Sequence, residues 1–441
     1  MAGCERAECA GTGPPDADLL PPTFEQGLCH RLQTAAVVVG TGPSTGPIGG
    51  APVHIAFGPN PNATDSFYDS PQGWAMLQAG AYGNGIPGGP ASGPWNTSLG
   101  AGIRIAVLDS GVDANHPDLA TNLGLNLSEV DQTALPSPCD DGSPQDQQGH
   151  GSFSASLATA AIGGGKLAGV APQATLLNIK VLERLPAATG ANLTAQCEAG
   201  EANGLLSWVL AGVEDAIDHR ANVISLSLGT LVDTSTGDGA GWQAQFNAAT
   251  YAASQAGIVV VASLGNDALD LSTSTLIELP AQARDVLPVV ASTNPACAED
   301  DSPNAICASG PIARASYSNH GVPSAIAAPG GNYPQGSTTD GVSGFVRGAC
   351  SNGLPNTTDG LPGTPSFSQS FGCFGLGQAQ YVQAVGTSAS APLVAGAAAI
   401  LMAAHPTWTA TQITQALRSS ASKLPTIPEP LLNLPAALAV P

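Results

Sequence analysis

Short runs of hydrophobic residues recur along the chain and predict the strands of a sheet. Runs rich in Val, Ile and Leu are interpreted as buried strands at 103–108, 176–181, 223–228, 258–263 and 286–291. Apolar residues at helical spacing predict helices between and after these strands, at 205–218, 242–256 and 409–419. This alternation indicates an α/β fold of three layers, with a mostly parallel central sheet covered by helices on both faces.

A serine stands at the start of the most apolar predicted helix. Residues 386–392 read GTSASAP and precede the apolar run 393–404, which places Ser388 in the first helical turn. The positive end of the helix dipole stabilises negative charge that develops there. Ser388 is therefore a candidate nucleophile.

Three more polar residues occupy positions that suit the partners of such a serine. Asp109 ends the first strand, His150 precedes a small-residue helix predicted at 153–162, and Asn266 follows the strand at 258–263. An imidazole can take the serine proton, a carboxylate can orient the imidazole, and an amide can donate to an oxyanion. Open parallel sheets build their sites at the carboxyl edge, so we expect these side chains to meet there.

In the order Asp, His, Asn, Ser, these segments resemble the subtilisin-like serine peptidases (subtilases). The resemblance covers roughly residues 65–437 and rests on eight motifs: VLDSGVD (107–113), HPDL (116–119), GHG (149–151), GVAP (169–172), SLSLG (225–229), GN (265–266), APG (328–330) and GTS (386–388). It implies a subtilisin-like fold in which Ser388 attacks the scissile carbonyl and His150 takes its proton. Asp109 would orient His150, while Asn266 and the Ser388 N–H would bind the oxyanion.

The resemblance also implies where a peptide substrate binds. The backbone of Ser227, Leu228 and Gly229 would pair with the main chain of the peptide. The primary pocket for a substrate side chain would be lined by Ser263, Leu264 and Gly265. Leu264 stands where the family commonly has a small residue, and we expect it to narrow the cleft. Asp267 and Glu278 would lie near the pocket and favour a Lys or Arg side chain; the alternative is that both are solvated loop acids.

Calcium is the usual structural ion of the family, and no other cofactor is expected. Asp118 matches a ligand position of the family's common tight site. The partner loop, 162–167, has no amide side chain and adds a cation, Lys166, which disfavours an ion there. Other carboxylates that could hold calcium are Asp140, Asp141 and Asp146.

The acidic composition of the chain limits the classes of partner that it can bind. The chain has 441 residues, 33 acidic against 12 basic, and a net charge of −21. Such a surface repels nucleic acid and anionic membranes, and the apolar run 393–404 is shorter than a bilayer span. We expect a monomer that acts on protein or peptide substrates and binds neither nucleic acid nor membrane.

Nine cysteines, mostly in predicted loops, indicate an oxidising and therefore extracellular location. The predicted pairs are Cys139–Cys197, Cys297–Cys307 and Cys350–Cys373, with one further bond shared among Cys4, Cys9 and Cys29. Residues 1–64, rich in Cys, Pro and Gly and with one candidate strand at 34–39, are predicted to form an N-terminal extension. Residues 65–441 then form the catalytic domain, with an insertion at about 332–380.

Three functions fit these residues. The first is a secreted serine endopeptidase. The second is a processing peptidase or transpeptidase of narrow specificity, because an acyl-enzyme can be resolved by water or by an amine and the insertion at 332–380 could restrict access. The third is a noncatalytic binding module on the same fold.

Overall fold

The computed structural model describes residues 73–83, 93–293, 312–331, 345–354, 358–359, 373–376 and 379–441. Several sequence-based predictions lie outside the described residues: the extension 1–64 with its strand at 34–39, the pair Cys297–Cys307, the cysteines at 4, 9 and 29, and most of the insertion 332–380.

A ten-stranded sheet forms the centre of the described fold. The strands of the described residues are β1 (Arg104–Asp109), β2 (Leu123–Ser128), β3 (Thr175–Lys180), β4 (Glu183–Leu185), β5 (Glu201–Asn203), β6 (Val223–Leu226), β7 (Thr230–Asp233), β8 (Val259–Ser263), β9 (Leu276–Leu279), β10 (Val286–Thr293), β11 (Ala313–Arg314), β12 (Ile326–Pro329), β13 (Val346–Ala349), β14 (Thr358–Asp359), β15 (Cys373–Leu376), β16 (Ala379–Ala384), β17 (Ser422–Leu424) and β18 (Ile427–Leu431). The central order is β2-β3-β1-β6-β8-β10-β12-β18-β17, with β11 paired to β10. All neighbours are parallel except β17 on β18 and β11 on β10.

Side chains of the central strands alternate between two apolar layers. In β1, Ile105 and Val107 join one buried cluster, while Ala106 and Leu108 join the other. This is the consequence of a two-residue repeat in a strand that is buried on both faces. A continuous apolar run is therefore what such a strand requires, and the five predicted strands coincide with β1, β3, β6, β8 and β10.

Helices cover both faces of the sheet. They are α1 (Trp74–Gln78), α2 (His150–Thr159), α3 (Leu193–Glu198), α4 (Leu206–Asp218), α5 (Gly237–Gln255), α6 (Thr387–Ala404), α7 (Ala410–Ser420) and α8 (Leu434–Leu438). Apolar residues of α2 and α6 belong to one cluster and those of α4 and α5 to the other. The predicted three-layer α/β fold with a mostly parallel central sheet is confirmed.

Helix α6 is the core helix of its layer. It packs against α2 and against β6, β8, β10 and β12. Its 18 residues are long and apolar enough to cross a membrane, but 83% of that stretch is buried inside the protein. Its apolar surface is therefore covered by the fold itself.

Two of the predicted disulfides form. Cys139 bonds to Cys197, and Cys350 bonds to Cys373 beside a second sheet of order β13-β16-β15-β14. Two shorter pairs, β4 with β5 and β7 with β9, complete the described sheets. The β7–β9 pair matters for function, because it fixes a chain segment next to the end of β6.

Candidate active site

Asp109 and His150 meet at the carboxyl end of β1. Both side chains are buried, and His150 Nδ1 lies 2.7 Å from Asp109 Oδ1. An ionised carboxylate only accepts hydrogen bonds, so this contact places the proton of the imidazole on Nδ1. The backbone N–H of Ser110 donates to the same oxygen at 2.7 Å.

A second buried carboxylate shapes the start of α2. Asp146 Oδ1 accepts the backbone N–H groups of Gln148 and Gly149, and Oδ2 accepts that of Ser152. The Ser110 hydroxyl also donates to Asp146 Oδ1. This capping lets α2 begin at His150, three residues before the predicted start, and it links the segment of Asp109 to that of His150.

Ser388 lies in the first turn of α6, as predicted. Its hydroxyl donates to the Ser227 carbonyl at 3.1 Å, and the Ser227 hydroxyl donates back to the Ser388 carbonyl at 2.9 Å. Ser227 directly follows β6, so this pair of bonds fastens the start of α6 to the carboxyl edge of the sheet.

Asn266 lies against the same turn of α6. Its Oδ1 accepts both the backbone N–H and the hydroxyl of Thr387, each at 2.9 Å. Two donors on one atom identify that atom as the oxygen, which fixes the orientation of the amide. A methyl group built on Gly386 would lie 3.5 Å from Asn266 Nδ2 and 3.6 Å from the Ser388 nitrogen. The two donors thus flank one small space.

The four predicted catalytic residues form two bonded groups on neighbouring strands. Asp109 and His150 form one group at the end of β1, and Ser388 and Ser227 form the other at the end of β6, with Asn266, after β8, bonded to the adjoining Thr387. These strands are parallel neighbours, and α2, which begins with His150, packs against α6. Both groups therefore lie at one edge of the sheet.

A cavity of about 240 Å³ opens beside Ser388. Asn266 and Ser388 line it together with most of the predicted substrate-binding residues: Ser227, Leu228, Gly229, Ser263, Gly265, Asp267 and Glu278. Leu264 is the exception. Its side chain is fully buried in the cluster that faces α4 and α5, so it does not narrow the cleft.

The two acids at the cavity differ in environment. Asp267 is exposed, and Asn319 Nδ2 donates to its carboxylate at 3.1 Å. Glu278 is buried, with 4% of its surface exposed. Burial, and secondarily the negative charge of Asp267, raises the pKa of Glu278 well above its ordinary value.

The Asp118 position does not fit a cation. The buried carboxylate accepts the backbone N–H groups of Lys166 and Leu167 and the Tyr381 hydroxyl, at 3.2–3.3 Å. Calcium requires oxygen ligands, whereas these partners present hydrogen atoms. Burial raises the pKa of Asp118, which further disfavours the charged ligand.

The other calcium candidates are also engaged by donors. Both Asp140 oxygens accept Lys180 Nζ at 2.8 Å, Asp141 Oδ1 accepts the Ser143 N–H at 2.9 Å, and Asp146 receives the donors described above. Among the described residues, no group of three His, Cys, Asp or Glu side chains could hold a metal ion.

Comparison with known proteins decides the family. The family model described as the Subtilase family matches residues 100–433. The chain belongs to the subtilase family. The resemblance seen in eight short motifs is thereby confirmed.

This subtilase spans less than two thirds of the length of the curated relatives described next. Subtilisin E from Bacillus subtilis (strain 168) is 29% identical over 327 residues, which are 74% of this chain and 62% of that protein. Thermitase from Thermoactinomyces vulgaris is 35% identical over 173 residues, which are 39% of this chain and 50% of thermitase.

Solved structures share the fold at low identity. The nisin leader peptidase NisP from Lactococcus lactis matches with a TM-score of 0.60 at 20% identity, over 85% of this chain and 95% of its own. Fervidolysin from Fervidobacterium pennivorans matches with a TM-score of 0.57 at 22% identity, over 92% of this chain and 51% of its own. These likenesses establish the architecture of this subtilase.

Proposed function

We propose that this subtilase is a serine endopeptidase that hydrolyses peptide bonds through an acyl-enzyme on Ser388. The observation that carries the proposal is the bonded pair Asp109–His150 at the same sheet edge as Ser388 and Asn266. Family membership supports the same chemistry. No metal or cofactor takes part in the proposed steps.

The proposed first step is attack by Ser388 Oγ on the scissile carbonyl. On substrate binding the hydroxyl exchanges its bond to the Ser227 carbonyl for one to His150 Nε2, which takes its proton. Asp109 stabilises the resulting imidazolium through Nδ1–H. The developing oxyanion is stabilised by Asn266 Nδ2 and the Ser388 N–H, and the proton then passes to the leaving amine.

The acyl-enzyme is released by water in the reverse of these steps. An extended peptide would reach the site by pairing with the backbone of Ser227, Leu228 and Gly229, which follows β6 at the cavity. We place this reaction outside the cell. The two disulfides support that location, because such bonds persist in oxidising compartments.

A fluorophosphonate probe tests the proposal directly. The probe should label the wild-type chain at Ser388 and leave Ser388→Ala unlabelled. In a casein or peptide assay, the wild type should cleave the substrate and Ser388→Ala should not. A chain that hydrolyses no peptide and takes no label would contradict the proposal and favour the noncatalytic binding module.

A processing peptidase of narrow specificity is the second candidate. The buried acid in the cavity favours it, because a charged pocket accepts few side chains. Two proteins with the same fold are leader-processing proteases by name, NisP and EpiP from Staphylococcus aureus. Rapid digestion of casein to many fragments would argue against this candidate, and cleavage at one or two sites would support it.

A further inference from the structure

Glu278 is a buried acid that forms no salt bridge with a cation of the described residues. Its Oε2 atom is buried and has no hydrogen-bond partner among the described residues, and the salt bridges of the described residues all join other groups. Burial of a polar atom without a partner is unfavourable, because the hydrogen bonds it would make with water are lost. A ligand that supplies the missing donors would recover that free energy.

The carboxylate lies between the two segments that line the cavity. A methyl group on Gly229 would come within 2.2 Å of Glu278 Oε1, and one on Gly265 within 3.0 Å of Oε2. The Glu278 carboxylate thus lies against the backbone of both segments. The Gly265 backbone, at φ +96°, also has the left-handed conformation that glycine favours.

The main chain holds Glu278 in this position. In the β7–β9 pair, Glu278 lies opposite Leu231 and Leu279 opposite Thr230, one residue after Gly229. The Glu278 N–H also donates to Gln282 Oε1 at 2.8 Å. The acid is thus positioned by a paired strand, next to the cavity that opens at Ser388.

We propose that Glu278 makes this enzyme cleave after basic residues, and after arginine in preference to lysine. The side chain before the scissile bond enters the cavity, and its guanidinium pairs with both Glu278 oxygens. A forked guanidinium matches the two oxygens of a carboxylate, whereas an ammonium acts as a single point charge. Asp267 adds a second negative charge at the exposed side of the cavity. This inference rests on the proposed peptidase function.

The ionisation of Glu278 gives the preference a pH signature. Among the described residues, Asp267 is the charged neighbour that acts on Glu278, and it acts in the same direction as burial. The empty pocket therefore keeps its proton to higher pH than an ordinary glutamate. Binding of arginine requires the charged carboxylate, so selectivity for arginine should rise as pH increases through the pKa of Glu278.

Four peptides that differ only before the scissile bond test the proposal, with Arg, Lys, Leu or citrulline at that position. Citrulline has nearly the shape of arginine but no charge, so the Arg-to-citrulline ratio of kcat/KM isolates the charge. General losses of activity cancel in this ratio. We expect about 10- to 100-fold in the wild type, rising with pH.

Glu278→Gln should bring the ratio close to one, while Glu201→Gln, an exposed acid on β5, should keep the wild-type ratio. A wild-type ratio near one in a chain that takes the fluorophosphonate label would overturn the inference and leave the peptidase function standing. The inference also fails if Asp267→Asn, and not Glu278→Gln, abolishes the ratio. Absence of both labelling and cleavage would overturn the peptidase function and this inference together.

Discussion

Thr387 holds the amide oxygen of Asn266 with two hydrogen bonds, which fixes the direction of the amide nitrogen. If that nitrogen stabilises the oxyanion, Asn266→Ala should lower kcat by about 10²–10³-fold, the size typical for loss of one such donor in subtilisin. KM should change little, because the donor acts on charge that develops after binding.

Steady-state kinetics on one peptide measure both constants. Thr387→Ser, which keeps the hydroxyl, is the matched control. A variant that raises KM while kcat stays the same would show that Asn266 binds the ground state instead.

Asp146 organises the segment that carries His150. Asp146→Asn would set an amide N–H₂ against backbone or hydroxyl donors that now meet carboxylate oxygens. We expect a loss of about 2 kcal/mol or more in the free energy of unfolding, with lower kcat/KM because His150 shifts. Asp141→Asn, in the exposed part of the same loop, is the control. Urea unfolding of both variants would contradict this role if their midpoints were equal.

Sequence reasoning at the residue scale predicted the positions of Asp109, His150, Asn266 and Ser388 at the ends of strands and helices, and the structure has them there. It gave no sign that His116 is buried, with its ring against that of Tyr381 at a centroid distance of 5.2 Å. Contacts between residues so far apart along the chain leave no local pattern. Asp146 did leave one, an acid three residues before a glycine at a helix start.

At the scale of elements, glycines show how closely α6 is packed. A methyl group on Gly396 would lie 2.6 Å from Val170 Cβ, whereas one on Gly241 of α5 would meet nothing within 4 Å. Gly396→Ala should therefore destabilise the fold by about 1–3 kcal/mol through overpacking. Gly241→Ala should stabilise it by about 0.5–1 kcal/mol, because alanine is the better helix former. Thermal melting of the two variants checks both signs, and a shift in the same direction would refute the packing argument.

Sequence patterns predicted the central strands and missed the peripheral ones. β8 reads as an uninterrupted apolar run because it is buried on both faces. β18 contains two prolines, and β12 is four residues long and ends in proline, so neither carries a strand signal. The second sheet lies in a segment rich in Gly, Ser, Pro and Asn, where local composition favours loops.

For the whole molecule, buried and half-buried acids set the dependence of stability on pH. Burial raises the pKa of Glu129 and of Glu183 to about 7, in the case of Glu129 with added effects of Asp215. Between their unfolded values near 4.5 and about 7, the folded state binds more protons than the unfolded state, so stability falls as pH rises. The lowered pKa of buried His116 acts oppositely, because the unfolded chain gains its proton as pH falls below about 6.5.

The acids outnumber this histidine, and the net charge of −21 adds self-repulsion at high pH. We therefore expect a higher melting temperature at pH 6 than at pH 8. Glu183→Gln should make this difference in melting temperature smaller, because it removes a pH-dependent contribution of about 1–3 kcal/mol to the free energy of unfolding. Calorimetry measures these melting temperatures in the Ser388→Ala background, where the substitution prevents self-digestion. Equal melting temperatures at the two pH values, or an unchanged difference in Glu183→Gln, would contradict this account.

The two bonds from Thr387 to Asn266 join residues that adjoin the nucleophile and the end of β8. Through the bonds between Ser227 and Ser388, the backbone to which a peptide would pair is tied to the same turn of α6. A displacement of that turn would therefore move the amide, the serine and the peptide-pairing backbone together.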